Sequence, residues 1–328
     1  MPDRHAPPRR GLVATARGWV DPLVVAILAV LALGLVLPAT GTAADVLETV
    51  RTVAIVLLFF GYGARMPTRE VWDGLRSWRL QGSMLAATYV VFPLLGLAAQ
   101  LLPETVLGPE LASGVLYLSV LPSTVQSSVV FTSIARGNVA GAITGATISN
   151  VAGVVVTPLL VALLLGAGAS TSGSLGGILL QLLVPFVAGQ LLQPWIGGWV
   201  RAHGSLTRAT DRATILLVAY TAVSEAQTSG AWAGVTLRVL LLLLAVCAAM
   251  LAAMLSLTWL TGRGMPLADR IALLMVGSKK SLATGLPMAA VLFAPATAAS
   301  IALPVIAFHQ LQLATCAVIA RRLATRRD

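Results

Sequence analysis

Along this chain the hydrophobic positions come in long blocks, and the polar positions gather between the blocks instead of alternating within them. A hydrocarbon core of about 30 Å is crossed by roughly 20 apolar residues in a helix. Ten blocks meet that length: 19–38, 46–65, 79–102, 110–136, 138–166, 174–194, 211–229, 233–262, 267–293 and 296–320. The period-two alternation of a barrel strand is missing, and runs such as 239–256 have no polar face. The pattern therefore predicts an all-α polytopic membrane protein with ten transmembrane helices. Pro38, Pro103, Gly166, Gly168, Gly230, Gly264 and Pro295 punctuate the block ends.

Two blocks are interrupted. The fourth contains "LPSTVQSS" at 121–128 and the ninth contains "GSKKSLATGLP" at 277–287. A proline removes a backbone donor and strains the preceding turn. The freed backbone groups are tolerated at membrane depth only where protein or a polar cavity satisfies them. Half-helix N-termini then offer positive ends to an anion, and C-termini with free carbonyls suit a small cation. Ser123, Thr124, Gln126, Ser127 and Ser128 beside Pro122 therefore read as one wall of a midplane ion and substrate site. Ser278, Lys279, Lys280 and Ser281 read as a second wall. Ser and Thr also occur in membrane helices bonded to their own backbone; the cluster around a proline, matched in the other half, is what points to a site. Five blocks precede residue 170 and five follow it. An odd number per half forces opposite orientations, which predicts inverted five-helix repeats over 19–166 and 174–320, flanked by basic tails at 1–18 and 321–328. This is the pattern of secondary transporters.

Composition supports lipid as the solvent: 57% of the 328 residues are hydrophobic and 10% charged, with a mean hydropathy of +0.89, against about 25% charged in a soluble domain. The net charge of +10 raises nucleic acid as a partner, and its placement removes it. With the N-terminus in the cytoplasm, eighteen of the 22 Lys and Arg fall on the inner side, among them Arg65, Arg136, Arg201, Arg263 and Arg321. The outer loops hold Asp45, Glu48, Glu104 and Glu110. The positive-inside rule thus puts both termini in the cytoplasm of a cell (plasma or inner) membrane. The first block lacks a small-residue cleavage site and reads as an uncleaved helix. Cys247 and Cys316 lie in apolar blocks and read as packing residues, and His5, His203 and His309 are too scattered for a metal site.

"PSTVQSSVVFTSIARGNVAGA", "GSKKSLATGLPMA" and "FHQLQLATCAVIARR" resemble the bile acid:sodium symporter superfamily (solute carrier family ten), in the branch resembling its member seven. The likeness covers nearly the whole chain. It implies a panel of spans 1, 2, 6 and 7 and a core of spans 3, 4, 5, 8, 9 and 10, with broken helices 4 and 9 crossing in the core. It also implies a substrate between panel and core, and two sodium sites in the core. With one inserted residue, the Ser-Asn pair after the helix-4 break falls on Ser127 and Ser128, the implied sodium ligands. The helix-5 hydroxyl ligands fall near Thr144 and Thr147, although strict register gives Ala142 and Ala146. The helix-3 glutamine falls on Thr88, ahead of Pro93. The helix-9 glutamate falls on Met275, and the Gln-Asn after it on Lys279 and Lys280. The acidic sodium ligand is thus absent. Coupling to sodium, to a proton or to no ion stays open at this point, and sodium is the one cofactor-like species implied.

Each lysine at a helix centre costs roughly 2.5–3.5 kcal/mol on insertion scales, and mid-block positions are too deep to snorkel. Three readings fit: an internal ion pair or bonds to freed carbonyls; a tethered cation in place of sodium; or a partner for an anionic substrate. Neighbours on a helix point about 100° apart, so the two can differ in role. Glu225 reads either as interfacial near Gly230, or as a proton carrier or lysine partner facing the cavity. His309, Gln310 and Gln312 read as buried residues bracing the crossing, with ion contact second.

Together these features predict a symporter-like secondary-active transporter for an organic anion, bile-acid-like or another small carboxylate or sulfonate, working by alternating access. No Walker-type loop supports an ATP pump, and no constellation of nucleophile, acid/base pair or metal ligands supports an enzyme. The alternative is a regulatory membrane protein that modulates ion entry without transporting. The expected partners are a small organic anion and the lipid bilayer; oligomeric state is not legible. A cysteine placed at Ser172 is expected to label from outside, and one at Gly204 only from inside. The reverse pattern overturns the orientation and the ten-span count together.

Overall fold

The computed structural model describes residues 22–66, 77–166, 175–230 and 235–325. The tail at 1–18, Ser172 and residues 326–328 lie outside the described residues. Those described form helices and connections, with no strand among them. In chain order the helices are α1 (Pro22–Val36), α2 (Thr42–Arg65), α3 (Trp78–Ala99), α4 (Glu104–Val120), α5 (Gln126–Ile134) and α6 (Val139–Leu164). They continue with α7 (Leu175–Ala202), α8 (Gly204–Ser229), α9 (Leu237–Thr261), α10 (Leu267–Gly277), α11 (Leu282–Leu292) and α12 (Pro295–Ala324). Four stretches, Trp78–Ala99, Val139–Leu164, Leu237–Gly264 and Thr297–Ala324, are each long and apolar enough to cross a bilayer. Val53, Leu94, Leu163, Leu191 and Leu241 stand exposed on helix surfaces, as lipid-facing side chains do. The chain is a multi-pass membrane protein.

Local chemistry explains several helix ends. Asn138 begins α6 by accepting from the Gly141 N–H (2.8 Å), and Thr236 begins α9 by accepting from Val239 (3.3 Å). Gly230 closes α8 with φ 72, a left-handed conformation open to glycine. Gly108 (φ 74, ψ 162) breaks the first turn of α4 before Pro109, so the helix is reached through a kinked turn that starts at Glu104, ahead of the block edge at 110. The sixth and seventh blocks also differ from their helices. α7 runs on past residue 194 to Ala202, and α8 starts at Gly204, ahead of 211. Hydropathy falls where a helix leaves hydrocarbon, but its internal hydrogen bonds continue. Trp195 and Trp199 are exposed on that extension of α7, where interfacial aromatics are expected.

α2 and α7 approach so closely that a Cβ on Gly63 would strike the Phe186 carbonyl, and one on Gly189 the Phe60 carbonyl. α1 meets α8 at Gly34, where a Cβ would lie 3.3 Å from Tyr220 O. Arg65 at the end of α2 pairs with Asp211 of α8 (2.8 Å). These four helices pack on one another, and α8 also packs on α11 and α12. Gly63→Val should overpack the α2–α7 contact, at about 1–3 kcal/mol or more, and lower the melting temperature in detergent. Gly61→Val has open space around its Cβ and should leave it unchanged.

Candidate functional site

α4 stops at Val120 because Pro122 cannot donate and holds Leu121 extended (φ −68, ψ 154). A helix that ends inside the protein leaves its last carbonyls without partners. Here those from Leu118 onward find donors. Leu118 O accepts from Leu121 N (3.3 Å), and Val120 O from Thr157 Oγ1 (2.8 Å). Ser119 O and Leu121 O both accept from Lys280 Nζ, at 2.7 Å each. Pro122 O accepts from Ser281 N (2.8 Å), and Ser123 O from Asn150 Nδ2 (2.7 Å). The Ser123 N–H donates to Ser149 Oγ (3.0 Å).

The second break completes the first. α10 ends at Gly277, and its last carbonyls take hydroxyl donors. Leu274 O accepts from Ser278 Oγ (2.6 Å), Met275 O from Ser128 Oγ (2.9 Å) and Val276 O from Ser123 Oγ (2.5 Å). Gln312 of α12 serves both backbone groups of Lys280: its Oε1 accepts from the N–H (2.8 Å) and its Nε2 donates to the carbonyl (2.9 Å). Ser281 starts α11 by accepting from the Thr284 N–H (3.2 Å). Thr284 Oγ1 in turn donates to Asn150 Oδ1 (2.9 Å).

A third irregularity joins them. α3 contains a π turn over Ala87–Val91, in which the Phe92 N–H bonds to Ala87 O. In that widened register Thr88 O would need a donor from Pro93, which has none. Lys280 Nζ supplies it at 2.8 Å. All three N–H groups of Lys280 thus point at carbonyls, and its ammonium sits 4.3 Å from the Phe92 ring centre. Lys279 differs: its ammonium reaches Ser127 O (3.0 Å) and lies 4.2 Å from the Phe131 ring centre. The lysines are 0% and 1% exposed, so neither snorkels. Among the described residues the ion pairs are Arg51–Glu48 and Arg65–Asp211, and neither lysine has a carboxylate partner.

The structure brings together Ser123, Ser128, Ser278, Lys279, Lys280 and Ser281. Thr124 and Ser127 are half-buried and Gln126 is exposed, forming an open rim at the start of α5; Ser127 Oγ lies 3.5 Å from Thr124 Oγ1. Thr88 joins through its carbonyl, while its hydroxyl bonds back to Met84 O (2.8 Å). Thr144 and Thr147 are half-buried on α6; among the described residues, Ser149, Asn150 and Thr157 of that helix make the bonds to the breaks. Glu225 is exposed on α8 and pairs with neither lysine. His309 Nδ1 lies 2.8 Å from Gln312 Nε2, so it braces the brace. Gln310 Nε2 is buried without a hydrogen-bond partner among the described residues. Asn150, Ser149, Thr157 and Thr284 escaped the sequence reading. Asn150 carried a signal, as one of two asparagines in the chain and the one deep within an apolar block.

The SBF-like CPA transporter family matches this chain over residues 21–325. An uncharacterized protein of Pseudomonas aeruginosa, PA2026, is 47% identical over 94% of each chain. A candidate symporter of Escherichia coli K12, YfeH, is 42% identical over 92% of each. The mouse protein named sodium/bile acid cotransporter 7 is 28% identical over 81% of this chain and 80% of its own.

Two neighbours on α12 provide a test of the bracing. Gln312→Leu leaves both backbone groups of Lys280 unpaired, at about 1–3 kcal/mol each, and should lower the melting temperature by more than about 5 °C. Gln310→Leu removes a buried amide nitrogen that has no hydrogen-bond partner among the described residues and should not lower the melting temperature. Equal effects of the two would contradict the assigned bonds.

Proposed function

The chain belongs to the SBF-like CPA transporter family, and from that premise we propose that it moves a small organic anion across the cell membrane by alternating access. It is a transporter and not an enzyme. The anion class proposed is bile-acid-like, or another small carboxylate or sulfonate; the name of the mouse relative lends support to the first. The observation that carries the reading is the buried Lys279 ammonium, which has no carboxylate partner among the described residues and lies beside the accessible rim at the start of α5. Charge of one sign inside a membrane protein marks a substrate or ion path, and here the sign calls for an anion.

The proposed docking place is the rim at the start of α5. Thr124, Gln126 and Ser127 are accessible there, and the positive end of the helix adds to the Lys279 ammonium 3.0 Å behind Ser127 O. The opposing wall is the α1–α2–α7–α8 group, read as the panel. The remaining helices are read as the core, with α4–α5 and α10–α11 as the crossing spans four and nine.

Matched contacts support the inverted five-helix repeats. Asn150 of the fifth span bonds the Ser123 carbonyl in the fourth (2.7 Å), as Gln312 of the tenth bonds the Lys280 carbonyl in the ninth (2.9 Å). Gly189 meets the Phe60 carbonyl as Gly34 meets that of Tyr220. The repeats, the domain limits at 19–166 and 174–320, and cytoplasmic termini form one consistent proposal.

Purified protein in proteoliposomes should take up one or more labelled anions from a panel of bile acids, carboxylates and sulfonates, with and without a sodium gradient. Uptake should saturate. Lys279→Met should fold and lose about tenfold or more of the uptake, which is about 1.4 kcal/mol. If no anion moves, the transport proposal fails and modulation of ion entry becomes the better account; if Lys279→Met transports like wild type, Lys279 has no part in the anion path and the proposed docking place fails.

A further inference from the structure

We infer that the carbonyl oxygens of Thr88, Ser119 and Leu121 form a monovalent-cation site whose resident cation is the chain's own Lys280 ammonium, so that this site neither needs nor exchanges sodium. The inference deepens the transporter reading and rests on it for its place in a transport cycle, but its test measures cation binding and does not pass through transport.

Three features of the cage carry it. The oxygens stand 2.8, 2.7 and 2.7 Å from Nζ. A neutral amine has two N–H groups and a lone pair, and the lone pair would face the third oxygen; three carbonyls around one nitrogen call for the ammonium. Each oxygen is also left over by the backbone, independently of the lysine. Pro93 and the π turn strand Thr88 O. The end of α4 at Pro122 strands Ser119 O and Leu121 O. Without Lys280 the three would still converge on one buried point. The C-terminus of α4 adds the negative end of a helix dipole, and the Phe92 ring, 4.3 Å away, adds an aromatic face.

No carboxylate among the described residues contributes, so dipoles alone hold the charge, the arrangement by which broken-helix C-termini hold small cations. Lys279, with its single carbonyl at 3.0 Å, has no such cage. The division follows: Lys280 is the fixed cation of the core, and the charge a mobile ion would bring is built into the chain.

Lys280→Ala removes the tether and the ammonium, and n-propylammonium restores the deleted atoms. Melting temperatures of wild type, Lys280→Ala, Lys280→Met and Lys279→Met are compared in detergent, in chloride salts of choline, sodium and n-propylammonium at equal ionic strength. Lys280→Ala should melt about 5 °C or more higher in n-propylammonium, and higher in sodium, than in choline. Wild type and Lys279→Met should show no such preference. Recovery of folded Lys280→Ala only when sodium or n-propylammonium is present also supports the site. A Lys280→Ala chain that melts alike in all three salts overturns it, as does one that folds in none. Lys280→Met as stable in choline as wild type overturns it too, because the cage would then need no cation. Failure of anion transport in proteoliposomes leaves this result standing, and a flat salt response overturns this inference alone.

Discussion

A backbone carbonyl inside hydrocarbon has no water to turn to, and the architecture of this protein's core follows from that rule. Pro93 and Pro122 each take a donor away, and the carbonyls left behind must be satisfied from elsewhere in the chain. Three unpaired carbonyls would cost about 3–9 kcal/mol, at about 1–3 kcal/mol each. Bringing one ammonium to the middle of a membrane helix costs roughly 2.5–3.5 kcal/mol on insertion scales. The comparison favours the lysine. Lys280 is therefore better viewed as the donor that makes the π turn of α3 and the end of α4 tolerable than as a charge in need of a partner.

The same rule explains why the neighbouring lysines diverge. Lys280 has spent all three N–H groups on carbonyls at 2.7–2.8 Å, while Lys279 makes one such bond, to Ser127 O. One is structural in the strict sense that its hydrogen-bonding capacity is exhausted. The other keeps capacity in reserve beside an accessible rim. The first break draws on the Lys280 ammonium as well as on neutral donors, while the second is closed by the hydroxyls of Ser123, Ser128 and Ser278. The two breaks are chemically lopsided even though the side-chain amides that reach them, Asn150 and Gln312, occupy matching roles.

Much of this was legible in the chain. Hydrophobic blocks located the helices, four of them long and apolar enough to cross a bilayer, and polar residues stranded inside two blocks located the breaks, because nothing else in so apolar a sequence explains them. The helices run past the block edges at 194 and 211, since hydropathy reports where hydrocarbon ends and helical hydrogen bonding does not stop there. The cluster of Ser123, Ser128, Lys279 and Lys280 at the two breaks was legible as a cluster, but not the atoms through which its neighbours meet it. The reading expected side-chain oxygens at Thr88 and Ser127, and the structure uses their carbonyls. Which carbonyls are free depends on where a π turn and a proline fall relative to one another, and on what packs across from them. Asn150 and Thr157 are polar residues inside an apolar helix, and their partners in the fourth block are set by tertiary contact alone.

The cage around Lys280 also sets an order of events during synthesis. Thr88, Ser119 and Leu121 leave the ribosome early, and the ammonium that satisfies them is 159 or more residues away along the chain. Domains form from the N-terminal end as the chain emerges, yet the first broken helix cannot be completed until the ninth block has been inserted. Until then the nascent chain must keep that segment near water or lodged against another protein. A truncated first half would carry a wound that only the second half can close.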